Sequence, residues 1–178
     1  MGIIDRIKDR LYLKSLPTKP GRATAKAVRN IDEARTLGLL FDATDVDQRK
    51  RILAYAEKLR KQGKQVNVLG FISTADKEAT FSFNFFTLRE VDWAQRPKGE
   101  QVQQWLKREY DVLVCLFPRT SRFTEYLALH ARAGLKIGPV ADNTACYDVM
   151  LDMPASAQPE KIIQQYENLL AKTVPQLA

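Results

Sequence analysis

The chain has 178 residues, 45% of them hydrophobic, with 28 Lys and Arg against 21 Asp and Glu and a net charge of +7. That length suits one domain plus an appendage, and a domain near this size buries roughly 70% of its unfolded surface, so no disulfide or metal is needed for folding. No apolar run approaches the ~20 residues of a membrane span, the start Met1-Gly2-Ile3-Ile4-Asp5-Arg6 lacks the apolar core of a secretory signal, and Arg6 stands where a myristoylation signal has Ser or Thr.

Residues 2–16 read as a helix. Ile3, Ile4, Ile7, Leu11 and Leu13 recur near the helical period, between Asp5, Arg6, Lys8, Asp9 and Arg10. Pro17 and Pro20-Gly21 end it, and residues 17–30 carry so little apolar content that they read as a linker or extended arm. Within residues 1–30, Arg6, Lys8, Arg10, Lys14, Lys19, Arg22, Lys26 and Arg29 face only Asp5 and Asp9, which places +6 of the net +7 in this stretch. The chain therefore divides into a basic N-terminal helix and arm, residues 1–30, and a single nearly neutral α/β domain, residues 31–178. Clustered positive charge draws polyanions such as RNA, DNA or an anionic membrane surface. The bland alternative is a solvated tail.

The core begins near Thr36. Leu37-Gly38-Leu39-Leu40-Phe41 is a continuous apolar run, as expected of a strand buried on both faces. Thr44 or Asp45 caps the next helix, which carries Ile52, Leu53, Ala56 and Leu59 on one side and stops at Lys61-Gln62-Gly63-Lys64. Val66–Ile72 is the next strand. Phe81-Ser82-Phe83-Asn84-Phe85 alternates like a half-buried strand. Pro97 precedes a helix of about ten residues with Val102, Trp105 and Leu106. Asp111–Phe117 is another buried strand, halted by Pro118. A helix over Phe123–Ala133 follows, with Gly134 as its C-cap. Leu135–Gly138 and Tyr147–Met153 read as strands. The last helix, about Pro159 to Ala171, uses Ile162, Ile163, Tyr166, Leu169 and Leu170. Strands alternating with helices predict a Rossmann-like or flavodoxin-like three-layer α/β sandwich, with a mostly parallel sheet of about five strands behind the N-terminal helix.

Ligands of open α/β sheets bind outside the carboxyl ends of the strands. Four loops line that edge: Asp42–Asp45, Ser73–Asp76, Pro118–Arg122 and Gly138–Thr144. Arg119, Thr120, Ser121 and Arg122 form the best anion candidate, with two guanidinium groups, two hydroxyls and a helix start. The plain alternative is an N-cap by Thr120 or Ser121 beside two solvated arginines. Asp42, ending a strand, and Thr44 complete the candidate crevice, although an Asp there also bonds to loop amides. Asp45 and Asp47 fit the helix dipole better than a metal.

The absences are more telling. There is no GxGxxG after the first strand, no GxxxxGK[ST] and no GxSxG. The single histidine, His130, sits mid-helix and makes a poor base. Nothing matches a zinc site. Cys115 and Cys146 form no CxxC pair, and Cys115 lies in an apolar run, which suits a reducing, cytoplasmic compartment. Phe81, Phe83 and Phe85 suit a core face better than a base-stacking platform. No cofactor, no metal and no catalytic residue is expected.

The order of "LGLLFDA", "VNVLGFI", "FNFFTLREVDW", "REYDVLVCLF", "LKIGP" and "YDVMLDM" behind a basic helix resembles the uncharacterised family catalogued as domain of unknown function 6913, from Bacteroidota. The resemblance covers most of the chain and rests on Phe41-Asp42-Ala43, Gly70-Phe71-Ile72, Phe85-Phe86-Thr87 and Tyr147-Asp148. It implies a fold and a bacterial source, with no mechanism attached. Residues 109–142 are also similar to a segment of heptosyltransferase-type glycosyltransferases, in which strand, helix and strand end in a similar turn. Those enzymes need a second Rossmann-like domain, for which this chain is too short.

Three functions follow as expectations. The first is a non-catalytic binding protein whose basic arm contacts RNA, on the ribosome or elsewhere. The second is a small-molecule or nucleotide-binding enzyme using the strand-end crevice. The third is membrane-surface attachment, with Ile3, Ile4, Ile7 and Leu11 inserted and Lys8, Arg10 and Lys14 meeting anionic lipid. The same helix could instead pack on its own domain or on a second copy, giving a homo-oligomer.

Overall fold

A computed structural model describes residues 3–23, 33–73, 81–154 and 156–172. Its elements run α1 (Ile3–Ser15), β1 (Thr36–Asp42), α2 (Val46–Lys61), β2 (Gln65–Ile72), β3 (Asn84–Thr87), α3 (Glu100–Leu106), β4 (Glu109–Leu116), α4 (Arg122–His130), β5 (Arg132–Pro139), β6 (Val149–Leu151) and α5 (Pro159–Lys172). The six strands form one sheet in the order β3-β2-β1-β4-β5-β6. Every neighbouring pair is parallel.

The expected three-layer sandwich is present, with six strands rather than five. The order is that of doubly wound Rossmann sheets and not the flavodoxin-like 2-1-3-4-5. Alternate residues of each strand feed two cores. Leu37, Leu39 and Phe41 of β1 meet Ile52, Ala56 and Leu59 of α2 and Ile162 and Tyr166 of α5. Leu40, Leu69, Leu113 and Cys115 face the other way, toward Val102 and Trp105 of α3 and Leu127 and Ala128 of α4. Burial on both faces is why the strand sequences run apolar without alternation.

Helix ends follow local chemistry. The Asp45 carboxylate accepts the Gln48 N–H at the start of α2. At its end Gly63 takes φ +83. There the Gly63 N–H donates to the Arg60 carbonyl and the Lys64 N–H to the Leu59 carbonyl. This is a Schellman motif, whose left-handed residue favours glycine.

Several expectations are corrected. The strand expected at 81–85 is Asn84–Thr87. Phe81 and Phe83 precede it, packed with Phe85 against the α2/α5 core. Apolar alternation there marks a packed approach to an edge strand. The helix after Pro97 has 7 residues, because the Glu90–Lys98 segment is held in a tight loop by Asp92. Gly134 is no C-cap. α4 ends at His130, Ala131 is extended, and β5 begins at Arg132. Only Val149–Leu151 of the expected 147–153 strand pairs, against Ile137–Pro139.

That short pairing leaves the first half of β5 with an open edge, and the arm covers it. Arg22 bridges to Ala133 in parallel. The Gly21 N–H donates to the Leu129 carbonyl at 2.7 Å. A Cβ on Gly21 would stand 2.6 Å from the Ala131 carbonyl oxygen, so the arm approaches this closely only as glycine. The 17–23 stretch is thus part of the body rather than a free linker.

Candidate functional site

In this strand order the topological switch lies between β1 and β4, the usual seat of a nucleotide. The described residues there are engaged in local contacts. Asp42 turns back to accept the Thr44 N–H at 2.9 Å. The Thr44 hydroxyl accepts the Ser73 N–H. Asp45 caps α2 and Asp47 sits in its first turn, where their charge opposes an incoming phosphate. On the opposite face of the sheet, Phe123 packs its ring on Phe71, Phe86 and Phe117 at centroid distances of 4.6, 5.8 and 6.0 Å.

The cavity lies further along the edge, where β4, β5 and β6 end. It has a volume of about 940 Å³ and is lined by Arg119 and Thr120 on one side and Val140 to Asp142 and Leu151 to Pro154 on the other. Glu125 closes its base from α4. Of the six crevice candidates the structure brings together only Arg119 and Thr120. Asp42 ends β1 and Thr44 lies in the β1–α2 loop. Ser121 is the N-cap of α4, accepting the Thr124 N–H. Arg122 pairs with Asp9 and lies over the Tyr12 ring, 5.3 Å from its centroid.

Electrostatics change the expected character of this edge. Among the described residues lining the cavity, Arg119 is the one cation, against Glu125, Asp142 and Asp152. Burial raises the Glu125 carboxyl above its ordinary value, nearby Asp142 adds to that, and a hydrogen bond from the Tyr12 hydroxyl works against it. Among the described residues no three His, Cys, Asp or Glu side chains gather as a metal cluster. His130 ends α4 with Nδ1 against the Tyr126 carbonyl and its ring stacked on Tyr126.

The basic N-terminus is built differently from a loose arm. Tyr12 is buried, and its hydroxyl bonds to the Arg122 carbonyl at 2.9 Å and to the Glu125 carboxylate at 3.1 Å. With Asp9 on Arg122, this fastens one side of α1 to α4. Arg22 makes a bidentate pair with Asp148 at 2.6 and 2.8 Å. Arg6, Lys8, Arg10, Lys14 and Lys19 have no carboxylate partner among the described residues. Lys26 and Arg29 lie outside the described residues, as do Thr74, Ala75 and Asp76 of the second loop.

The helical pattern picked out Ile4, Ile7 and Leu11 and passed over Tyr12, the residue that docks. The signal was present: Asp9, Tyr12 and Leu16 form a second stripe at i, i+3, i+7. Lys136 carries no local signal of its burial. It is 1% exposed, and its Nζ donates to the Ala128 carbonyl.

These observations define a doubly wound α/β protein of Rossmann strand order, with acidic side chains at the start of α2 and an aromatic cluster at the start of α4. The model of the Family of unknown function (DUF6913) matches residues 8–172, and the chain belongs to that family. No curated protein and no solved structure matches it.

Proposed function

We propose that this protein is a non-catalytic binding module that docks on a phosphate-bearing polyanionic partner through α1. The observation that carries the reading is the division of its cations. Arg22 and Arg122 are paired with Asp148 and Asp9, while Arg6, Lys8, Arg10, Lys14 and Lys19 have no carboxylate partner among the described residues. Arg6, Arg10 and Lys14 recur every four residues, about 6 Å apart along the axis. RNA, on or off the ribosome, and an anionic membrane both offer phosphates to such a row. A cytoplasmic setting in a bacterium of the Bacteroidota belongs to the same reading, with two buried thiols that suit a reducing compartment.

Each phosphate neutralised releases counterions and steepens the fall of affinity with salt. The intact chain is expected to bind inorganic polyphosphate with a clear salt slope. The triple substitution Arg6→Gln, Arg10→Gln, Lys14→Gln is expected to weaken binding about tenfold at low salt and flatten that slope. Coincident curves for the two proteins would end the reading. Deleting residues 1–23 is a poor substitute, since Tyr12, Gly21 and Arg22 hold the domain.

A second reading rests on the strand-end cavity. Three carboxylates facing one guanidinium suit a small ligand bearing an amine better than a nucleotide. A ligand at 100 times its Kd stabilises a protein by about 2.7 kcal/mol. In a thermal-shift series, amino acids and polyamines are expected to raise Tm and nucleotides to leave it unchanged, with the gain lost in Asp142→Asn, Asp152→Asn. No shift from any amine would remove this reading.

A further inference from the structure

We infer that the partner of α1 is an anionic lipid surface, on which the helix lies flat with its isoleucines inserted. The inference rests on the polyanion reading above and names the partner of that same helix. Ile4 is 69% exposed and Ile7 49%. With half-exposed Leu11 they stand at i, i+3 and i+7, on one stripe of the helix. Lys14 and then Arg10 border that stripe on one side and Lys8 on the other, while Arg6 lies further round the helix.

The opposite side of the helix is already used. Tyr12 is bonded to Arg122 and Glu125, and Asp9 is paired with Arg122. The stripe therefore cannot turn inward without breaking those contacts. It is held outward by a docked root, which lowers the entropy lost when it meets a surface.

Charge decides between occupants. An apolar stripe with cations on both borders matches the headgroup–acyl boundary of an anionic bilayer, where phosphates meet the cations and acyl chains meet the isoleucines. A nucleic-acid backbone satisfies the cations and leaves Ile4 and Ile7 in water. A second copy joined stripe to stripe would bring two sets of the same cations together. Among the described residues no helix is long and apolar enough to cross a membrane, so α1 would lie on the surface.

The test uses the full chain and three probes: vesicles of phosphatidylcholine with phosphatidylglycerol, vesicles of phosphatidylcholine alone, and inorganic polyphosphate. The expected result is co-sedimentation with the anionic vesicles only. Ile4→Ser with Ile7→Ser, both exposed and so harmless to the fold, should cut vesicle partitioning about tenfold or more while leaving polyphosphate affinity within about twofold. Polyphosphate or RNA binding without vesicle binding overturns the lipid inference and leaves the polyanion reading standing. So does vesicle binding indifferent to the isoleucine pair. Failure to bind polyphosphate or vesicles ends both. A dimer that the isoleucine pair converts to monomer assigns the stripe to a second copy and overturns the lipid surface.

Discussion

Trp105→Ala is expected to lower the unfolding free energy by about 4 kcal/mol, close to the most that a single core truncation costs. Trp105 is fully buried in α3. Its ring lies 5.2 Å from that of Tyr110, its indole N–H donates to the Asn67 carbonyl on β2, and the Tyr110 hydroxyl donates back to the Trp105 carbonyl. A Cβ on Gly38 would come within 3.1 Å of the Tyr110 ring, so the stack reaches through to β1. α3 has only 7 residues and cannot persist as a helix without this anchor. Truncation removes the apolar area, leaves a cavity and strips the Asn67 carbonyl of its donor. Domains of this kind hold only about 5–15 kcal/mol in total, so urea unfolding should show a large shift in midpoint with little change in slope. A loss below about 1.5 kcal/mol would mean that this side of the sheet is not a packed core.

Lys136→Met is expected to change the pH dependence of stability between pH 7 and pH 10.5 by a large amount. Burial is the main cause that lowers the Lys136 pKa, to about 8 from 10.5; Arg22 lowers it further, and Asp148 partly opposes. The ammonium is tolerated because it meets the Ala128 carbonyl in the last turn of α4, at the negative end of the helix dipole. The sign follows from which state takes the proton first. Above pH 10.5 the amine is neutral in both states and costs nothing. As pH falls from 10.5 to about 8 the unfolded chain is protonated first, so the folded state loses stability. Below about 8 both forms are charged and the full penalty, about 3 kcal/mol, is present.

The methionine variant carries no such term. Its stability relative to the parent should rise by about 3 kcal/mol between pH 10.5 and pH 7. Burial raises the Cys115 and Cys146 thiols to about 11 and about 12, which weakens both proteins at alkaline pH. That effect largely cancels in the difference. Urea titrations of both proteins across this range measure it. A gap between them that stays constant with pH would show that Lys136 titrates normally.

At the N-terminus, the helix, its cations and its isoleucine stripe could all be read from spacing. Which side of it docks could not, because Tyr12 meets residues 110 and 113 positions away. The same distance separated the expected anion loop from its real condition. Arg122 looks free in Pro118–Arg122 until Asp9 is folded against it. The Asp42 carboxylate accepts the Thr44 N–H, a bond that spans only two residues and so leaves a trace in the sequence.

By itself, the sequence determined that this is a layered α/β protein with buried parallel strands, a helix stop at Gly63, a charged front and a neutral body. Those properties arise from neighbours a few residues apart, where periods of 2 and 3.6 and the rigidity of turns leave a direct trace. Tertiary structure alone decided the 3-2-1-4-5-6 order, the position of the cavity at β4, β5 and β6, the burial of Lys136 and which of the described cations meet a carboxylate. Each of these depends on pairings between segments far apart in the chain, and the residues at either end of such a pairing look the same whether or not they meet. The basic arm kept its charge, but the fold took Arg22 for itself and turned Ile4 and Ile7 outward beside Lys8, Arg10 and Lys14.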